Sequence, residues 1–135
     1  MSQANVEIVE KAIEAFNLRD LDMLAALSDE DVEFVSVMAA VEAGSATFRG
    51  PETWTRYFET MDESWDGWRV EGHEVLDAGD AHVAATFAIV GTGRRSGAPV
   101  KHEIGVVYTL RDGRLRRLRS YADPAEALEA VGLRK

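Results

Sequence analysis

Residues 15–34 read AFNLRDLDMLAALSDEDVEF, and the order of signals within them decides the fold. A helix ends here, a second short helix follows, and an acidic turn opens a strand. Over residues 6–18 the apolar side chains Val6, Val9, Ile13 and Phe16 recur at spacings of three and four, which lines one helical face, and Asn5 is placed to cap it. Asp20 can accept backbone N–H bonds at the start of the second helix, whose Leu21, Leu24 and Leu27 face the core. Asp29, Glu30 and Asp31 stop that helix. From Val32 to Ala40, Phe34, Ser36 and Met38 alternate with Glu33, Val35 and Val37, which predicts a strand with its even residues inward.

Further along, a loop of Gly, Ala, Ser and Thr leads to Gly50-Pro51-Glu52, which predicts a third helix with proline at its first position. Trp54, Tyr57, Phe58, Met61 and Trp65 then form one aromatic stripe, read first as core packing, and Trp68 plugs the loop that leads into the sheet. Strands are predicted at 69–77, 81–91, 100–110 and 114–122. The turn at Asp112-Gly113 is the strongest hairpin signal, since both central residues need positive φ. Asp123-Pro124-Ala125-Glu126 combines a cap, an N1 proline and a capping-box glutamate ahead of a last helix that Gly132 terminates. Helices first and hairpin-connected strands after imply an α+β fold. The predicted architecture is one curved antiparallel (mixed) sheet forming a cone, with three helices from the N-terminal half on its concave face and a short C-terminal helix. A pocket is expected at the open end, between the sheet and the aromatic stripe.

The chain has 135 residues and fits one domain, 1–135. It has no cysteine, which removes thiol nucleophiles and thiolate metal sites. No apolar run reaches membrane-spanning length and no leader pattern appears at the N-terminus, so a cytoplasmic protein without a membrane partner is expected. The net charge of −9 is unevenly placed: residues 1–80 hold 19 acids and 5 bases, residues 81–135 hold 5 acids and 10 bases. Arg111, Arg114, Arg116, Arg117 and Arg119 fall in one hairpin, where pairing with the acidic surface explains them better than phosphate binding does. An acidic chain is repelled by nucleic acid at long range, so no such partner is expected.

The motifs Glu14-Ala15-Phe16 with Arg19-Asp20 and Leu24, Asp31-Val32-Glu33, Phe48-Arg49-Gly50, Asp77-Ala78-Gly79-Asp80, Thr109-Leu110-Arg111-Asp112-Gly113, and Tyr121-x-Asp123 with Glu126-Ala127-Leu128 run in order along the whole chain. In these the sequence resembles the SnoaL-like family of the nuclear transport factor two-like, or ketosteroid isomerase-like, superfamily. The resemblance implies the cone fold and a homodimer through the sheet. It does not choose a reaction, because relatives include isomerases, epoxide hydrolases and polyketide cyclases. The epoxide-hydrolase acid/base set falls on Phe87, Ile89 and Ser120, and its water-holding residues fall on Phe34 and Ser36. The ketosteroid-isomerase base and oxyanion donors fall on Val35 or Ser36, Val106 and Ala12. None of these side chains can do that chemistry.

By strand parity, Val83, Ala85, Phe87 and Ile89 face inward on one strand, and His102, Ile104, Val106, Tyr108 and Leu110 on the next. The last strand is ambiguous by pattern, and the resemblance places Leu118, Ser120 and Ala122 inward. The expected ligand-binding set is Phe16, Phe34, Ser36 and Met38 with Trp54, Phe58, Phe87 and Ile89, closed by Ile104, Val106, Leu118 and Ser120. His102 and Tyr108 share one face and are the candidate catalytic acid/base pair. The competing reading puts His102 at the cavity rim in an ordinary hydrogen bond. His73 and His82 have no partner at ligand spacing, so no metal is expected. Gly91-Thr92-Gly93 with Arg94-Arg95 lacks a following helix to hold a phosphate and is read as a hairpin loop, and no cofactor is expected. Three functions stay open: an apolar pocket binding a small hydrophobic molecule, a cofactor-free isomerase, cyclase or dehydratase using His102 and Tyr108, and a dimerisation module built on Val107, Thr109, Leu115 and Tyr121.

Overall fold

The computed structural model describes residues 2–38, 47–79 and 81–133. Helix α1 (Ser2–Leu18) begins before Asn5, the expected cap, and α2 spans Leu21–Leu27. The chain reverses between them at Arg19, whose φ is 58°. Asp20 caps α2, its Oδ1 accepting from Met23 N–H at 3.0 Å. Strand β1 (Ser28–Val35) and the short β2 (Thr47–Arg49) follow, then α3 (Thr53–Ser64). The remaining elements are β3 (Trp65–Asp77), β4 (His82–Gly93), β5 (Pro99–Arg111), β6 (Arg114–Tyr121) and α4 (Pro124–Ala130).

The six strands form one mixed sheet in the order β2-β1-β6-β5-β4-β3, with β1 parallel to β6 and every other neighbouring pair antiparallel. Two register shifts in β3, between Asp66 and Arg69 and between Glu71 and Glu74, contain Gly67 at φ 60° and Gly72 at φ 63°. Such interruptions bend and twist a strand, and here they help curl the sheet around the helices. Helices α1, α2 and α3 lie against its inner face and α4 against the other. Among the described residues no helix is long and apolar enough to cross a membrane.

The core is aromatic where α1 meets α3. Phe16 packs edge-on against Trp54, Phe58 and Trp68 with centroids 6.4, 5.3 and 5.2 Å away, and Phe34 lies 4.7 Å from Tyr57. Each such pair contributes roughly 0.5–1.5 kcal/mol beyond the area it buries. Arg19 stacks over Trp68 at 3.8 Å while pairing with Asp62, whose Oδ1 also accepts the Trp68 indole N–H at 2.7 Å. Asn17 fastens the end of α1 to the sheet edge by donating to Val70 O and accepting from Val70 N–H.

Six expectations are corrected. The acidic triplet does not end an element: β1 already begins at Ser28, its register against β6 shifts between Ser28 and Glu33, and Asp29 Oδ1 accepts from Asp31 N–H at 2.8 Å to hold the irregular stretch. The strand then stops at Val35, with a helical turn at 37–38, and its expected continuation through Ala39 and Ala40, like most of the loop after it, lies outside the described residues. Pro51 is not the first residue of α3, because Gly50 O accepts from Thr53 N–H and Thr53 Oγ1 in a separate turn, leaving Glu52 as the cap residue. The stripe leaves the helix before its last member: Trp65 opens β3, and Trp68 is a buried strand residue rather than a loop plug. Leu115 is fully buried instead of facing outward, because a register shift between Thr109 and Leu110 pairs Leu110 with Leu115 and Thr109 with Arg117. Ala122 lies beyond the strand and is exposed.

The Asp112-Gly113 turn has the required positive φ values of 53° and 74°, and Asp123 caps α4 by accepting from Ala125 N–H at 2.9 Å. The arginines of that hairpin pair with the acidic stretch beside them. Arg111 meets Asp29 at 3.1 Å, Arg117 meets Glu33 at 3.0 Å, and Arg116 donates to Asp31 O at 2.7 Å. Glu33 also binds Arg49 at 2.7 Å, so one carboxylate ties β2, β1 and β6 together, and these bonds hold its pKa below the ordinary value.

Candidate functional site

Between the inner sheet face and α1, α2 and α3 lies a small cavity, about 40 Å³ in volume. Strands β4 and β5 deliver Phe87, Ile89, Ile104, Val106 and Tyr108, and β6 delivers Leu118 and Ser120. β1 and the residue after it bring Phe34 and Ser36, and β3 brings Val70. The helices supply Ala12, Ile13 and Phe16, Leu24, and Trp54 and Tyr57. None of these sixteen side chains is charged. The volume suits a few waters at roughly 10–15 Å³ each, against ~300–1,000 Å³ for pockets that enclose drug-sized ligands.

The polar atoms in this apolar lining are nearly all committed. Ser120 Oγ accepts from Val37 N–H at 2.8 Å and reaches Val35 O at 3.4 Å, which secures the chain where it leaves β1. The Trp54 indole donates to Ser28 Oγ at 3.0 Å, and Ser28 donates on to Leu24 O at 2.7 Å. Burial pushes the Tyr57 phenol up to about 12, with a hydrogen bond to Ser36 pulling the other way. Burial, and then the neighbouring Tyr57, push Tyr108 up as well, with no hydrogen bond to oppose them. Both phenols therefore stay protonated through the physiological range.

Of the twelve expected ligand-binding residues, ten line the cavity. Met38 is buried past the end of β1, in the helical turn. Phe58 faces Trp68 and Arg19 instead, 5.1 Å from the one ring and 5.3 Å from the other's guanidinium. Ala12, Ile13, Leu24, Tyr57 and Val70 belong to the lining without having been expected there. For Tyr57 the signal was its phenol tip in an otherwise apolar stripe, and for Ile13 and Leu24 it was their place on the core faces of α1 and α2.

The acid/base pair does not form. Tyr108 is 4 % exposed and lines the cavity, whereas His102 is exposed at the outer end of β5, its ring edge-on to Trp65 at 6.3 Å. Six residues of continuous strand, ~20 Å at 3.3–3.4 Å per residue, separate them. Parity is right for both, but β5 outruns the helices that cover its inner face. Among the described residues, no group of three His, Cys, Asp or Glu side chains is arranged to hold a metal. The Gly91–Gly93 segment leads into a hairpin loop, closed by Gly93 N–H to Ala98 O at 2.9 Å.

Residues 9–118 match the family model of the SnoaL-like domain. Comparison with curated protein sequences gives no match. Among solved structures, a protein of unknown function from Burkholderia pseudomallei, described as nuclear transport factor two-like, is 18% identical with a TM-score of 0.78, covering 96% of this chain and 98% of its own. A protein from Xanthomonas campestris pv. campestris provisionally described as a polyketide cyclase is 21% identical, TM-score 0.75, covering 97% and 98%. One from Catenulispora acidiphila with a ketosteroid isomerase-like fold, crystallised with trimethylamine, is 21% identical, TM-score 0.72, covering 94% and 93%. At these identities the likeness speaks for the fold alone.

Proposed function

From the premise that this chain belongs to the SnoaL-like family, we propose that it binds a small, uncharged, largely hydrophobic molecule in the cavity between sheet and helices. The observation that carries this is the lining itself: sixteen residues, all uncharged, around a buried space. An apolar cavity favours apolar guests and resists ions, because a charge placed there would lose its hydration without finding a partner. Acid/base turnover through His102 finds no support in this geometry, since the imidazole lies outside the cavity.

Titration with methylenecyclopentane, followed by backbone amide shifts, tests the reading. The expected shifts fall on β4 and β5 around Phe87, Ile89, Ile104 and Val106, the melting temperature rises with ligand concentration, and the ligand is recovered unchanged. Val106→Phe, or Ala12→Leu as a second route to filling the space, removes the response. A flat titration, or shifts that persist in both filled variants, contradicts the proposal.

A further inference from the structure

The apolar lining explains why the cavity takes a hydrophobic guest, but not why a phenol stands in it. Four hydroxyl groups line the space, those of Ser36, Tyr57, Tyr108 and Ser120. Ser120 is engaged with the backbone at Val35 and Val37, and Ser36 and Tyr57 bond each other. Among the described residues, no hydrogen bond is found for the Tyr108 hydroxyl. Its cross-strand neighbours, Val83 on β4 and Leu118 on β6, are apolar and offer it no side-chain acceptor. Tyr108 is 4 % exposed and lines the cavity, so whatever meets its hydroxyl meets it there. A donor that faces an apolar space with no protein acceptor gains most from a guest that supplies one.

We propose that Tyr108 is the polar anchor of the cavity, donating its O–H to a single acceptor atom on an uncharged ligand, so that the site selects small neutral carbonyl or ether compounds over hydrocarbons of the same shape. This rests on the binding reading above and narrows it. Carboxylates and phosphates are excluded, because no cationic side chain lines the cavity to pair with them. The anchor is not one carried over from the family resemblance, since Ala12 occupies one of the positions where a relative's oxyanion donor would stand.

Cyclopentanone and methylenecyclopentane have nearly the same shape and differ in one acceptor oxygen. In the native protein the ketone is expected to bind about tenfold more tightly by amide-shift titration, the scale of one buried neutral hydrogen bond. Cyclopentanecarboxylate gives no saturable shift. Tyr108→Phe, which removes only the oxygen, is expected to equalise the ketone and the alkene, while Tyr121→Phe, at a ring outside the lining, keeps the preference. Should Tyr108→Phe not fold, the infrared carbonyl stretch of cyclopentanone bound to the native protein decides the matter: a red shift from its value in hydrocarbon solvent supports the anchor, and an unshifted band overturns it. Equal binding of ketone and alkene in the native protein, or a preference that survives Tyr108→Phe, overturns the anchor and leaves the apolar cavity standing. Failure of both compounds to bind removes the cavity reading, and the anchor with it.

Discussion

Gly105 shows how much one missing side chain decides. Its inner-face neighbours Ile104 and Val106 line the cavity, while Gly105 itself faces α4, and a Cβ there would sit 2.5 Å from Ala127 Cβ and 3.1 Å from Pro124 Cα and O. The backbone atoms of Pro124 cannot swing aside as a flexible side chain could. Gly105→Ala should therefore lift α4 and destabilise the protein by about 1–3 kcal/mol, the usual range for overpacking, read from urea denaturation. Unchanged stability would mean that α4 is only loosely held. At this scale the sequence was legible wherever strand parity ran unbroken: Phe87, Ile89, Ile104 and Val106 all reach the cavity. It failed at Leu115, where a register shift reverses the parity, and at His102, where parity holds but the covering layer has ended. Neither a bulge nor the edge of a helix layer leaves a local mark in the sequence.

Elements are joined here by side chains that complete backbone bonding. β3 is an edge strand, and Asn17 answers both polar groups of Val70 as a neighbouring strand would, with bonds of 3.0 and 2.8 Å. Asn17→Ala removes both and should lower stability by about 1–2 kcal/mol, with amide exchange accelerating first in β3 and at the end of α1. Uniform exchange across the sheet would contradict a local clamp. Caps at Asp20 and Asp123 and the turn at Asp112-Gly113 were readable because their geometry is set within four residues. The extent of β1 was not, because it depends on pairing with β6, more than eighty residues later in the chain. The Asn17 clamp, fifty-three residues from its partner, was invisible for the same reason.

For the whole molecule, the concave layer keeps two phenols out of water, and this ties stability to alkaline pH. Tyr57 is raised from 10.0 to about 12, and Tyr108 is raised above its ordinary value too. In the unfolded chain both ionise near 10, while in the folded chain they hold their protons longer. Their contribution is therefore fully present below pH 10 and is lost as pH rises through the folded values. Phenolate absorbance from these two residues should appear together with loss of the near-ultraviolet circular dichroism, and Tyr57→Phe should move the alkaline transition upward. Ionisation of both well before unfolding would show the cavity open to solvent. The same exclusion of water underlies the proposed binding role, and a crystal structure of the protein soaked with cyclopentanone tests it most directly. The account predicts ligand density enclosed by Phe34, Phe87 and Ile104, with the carbonyl turned to Tyr108; ligand found only on the outer surface, with the cavity empty, would contradict it.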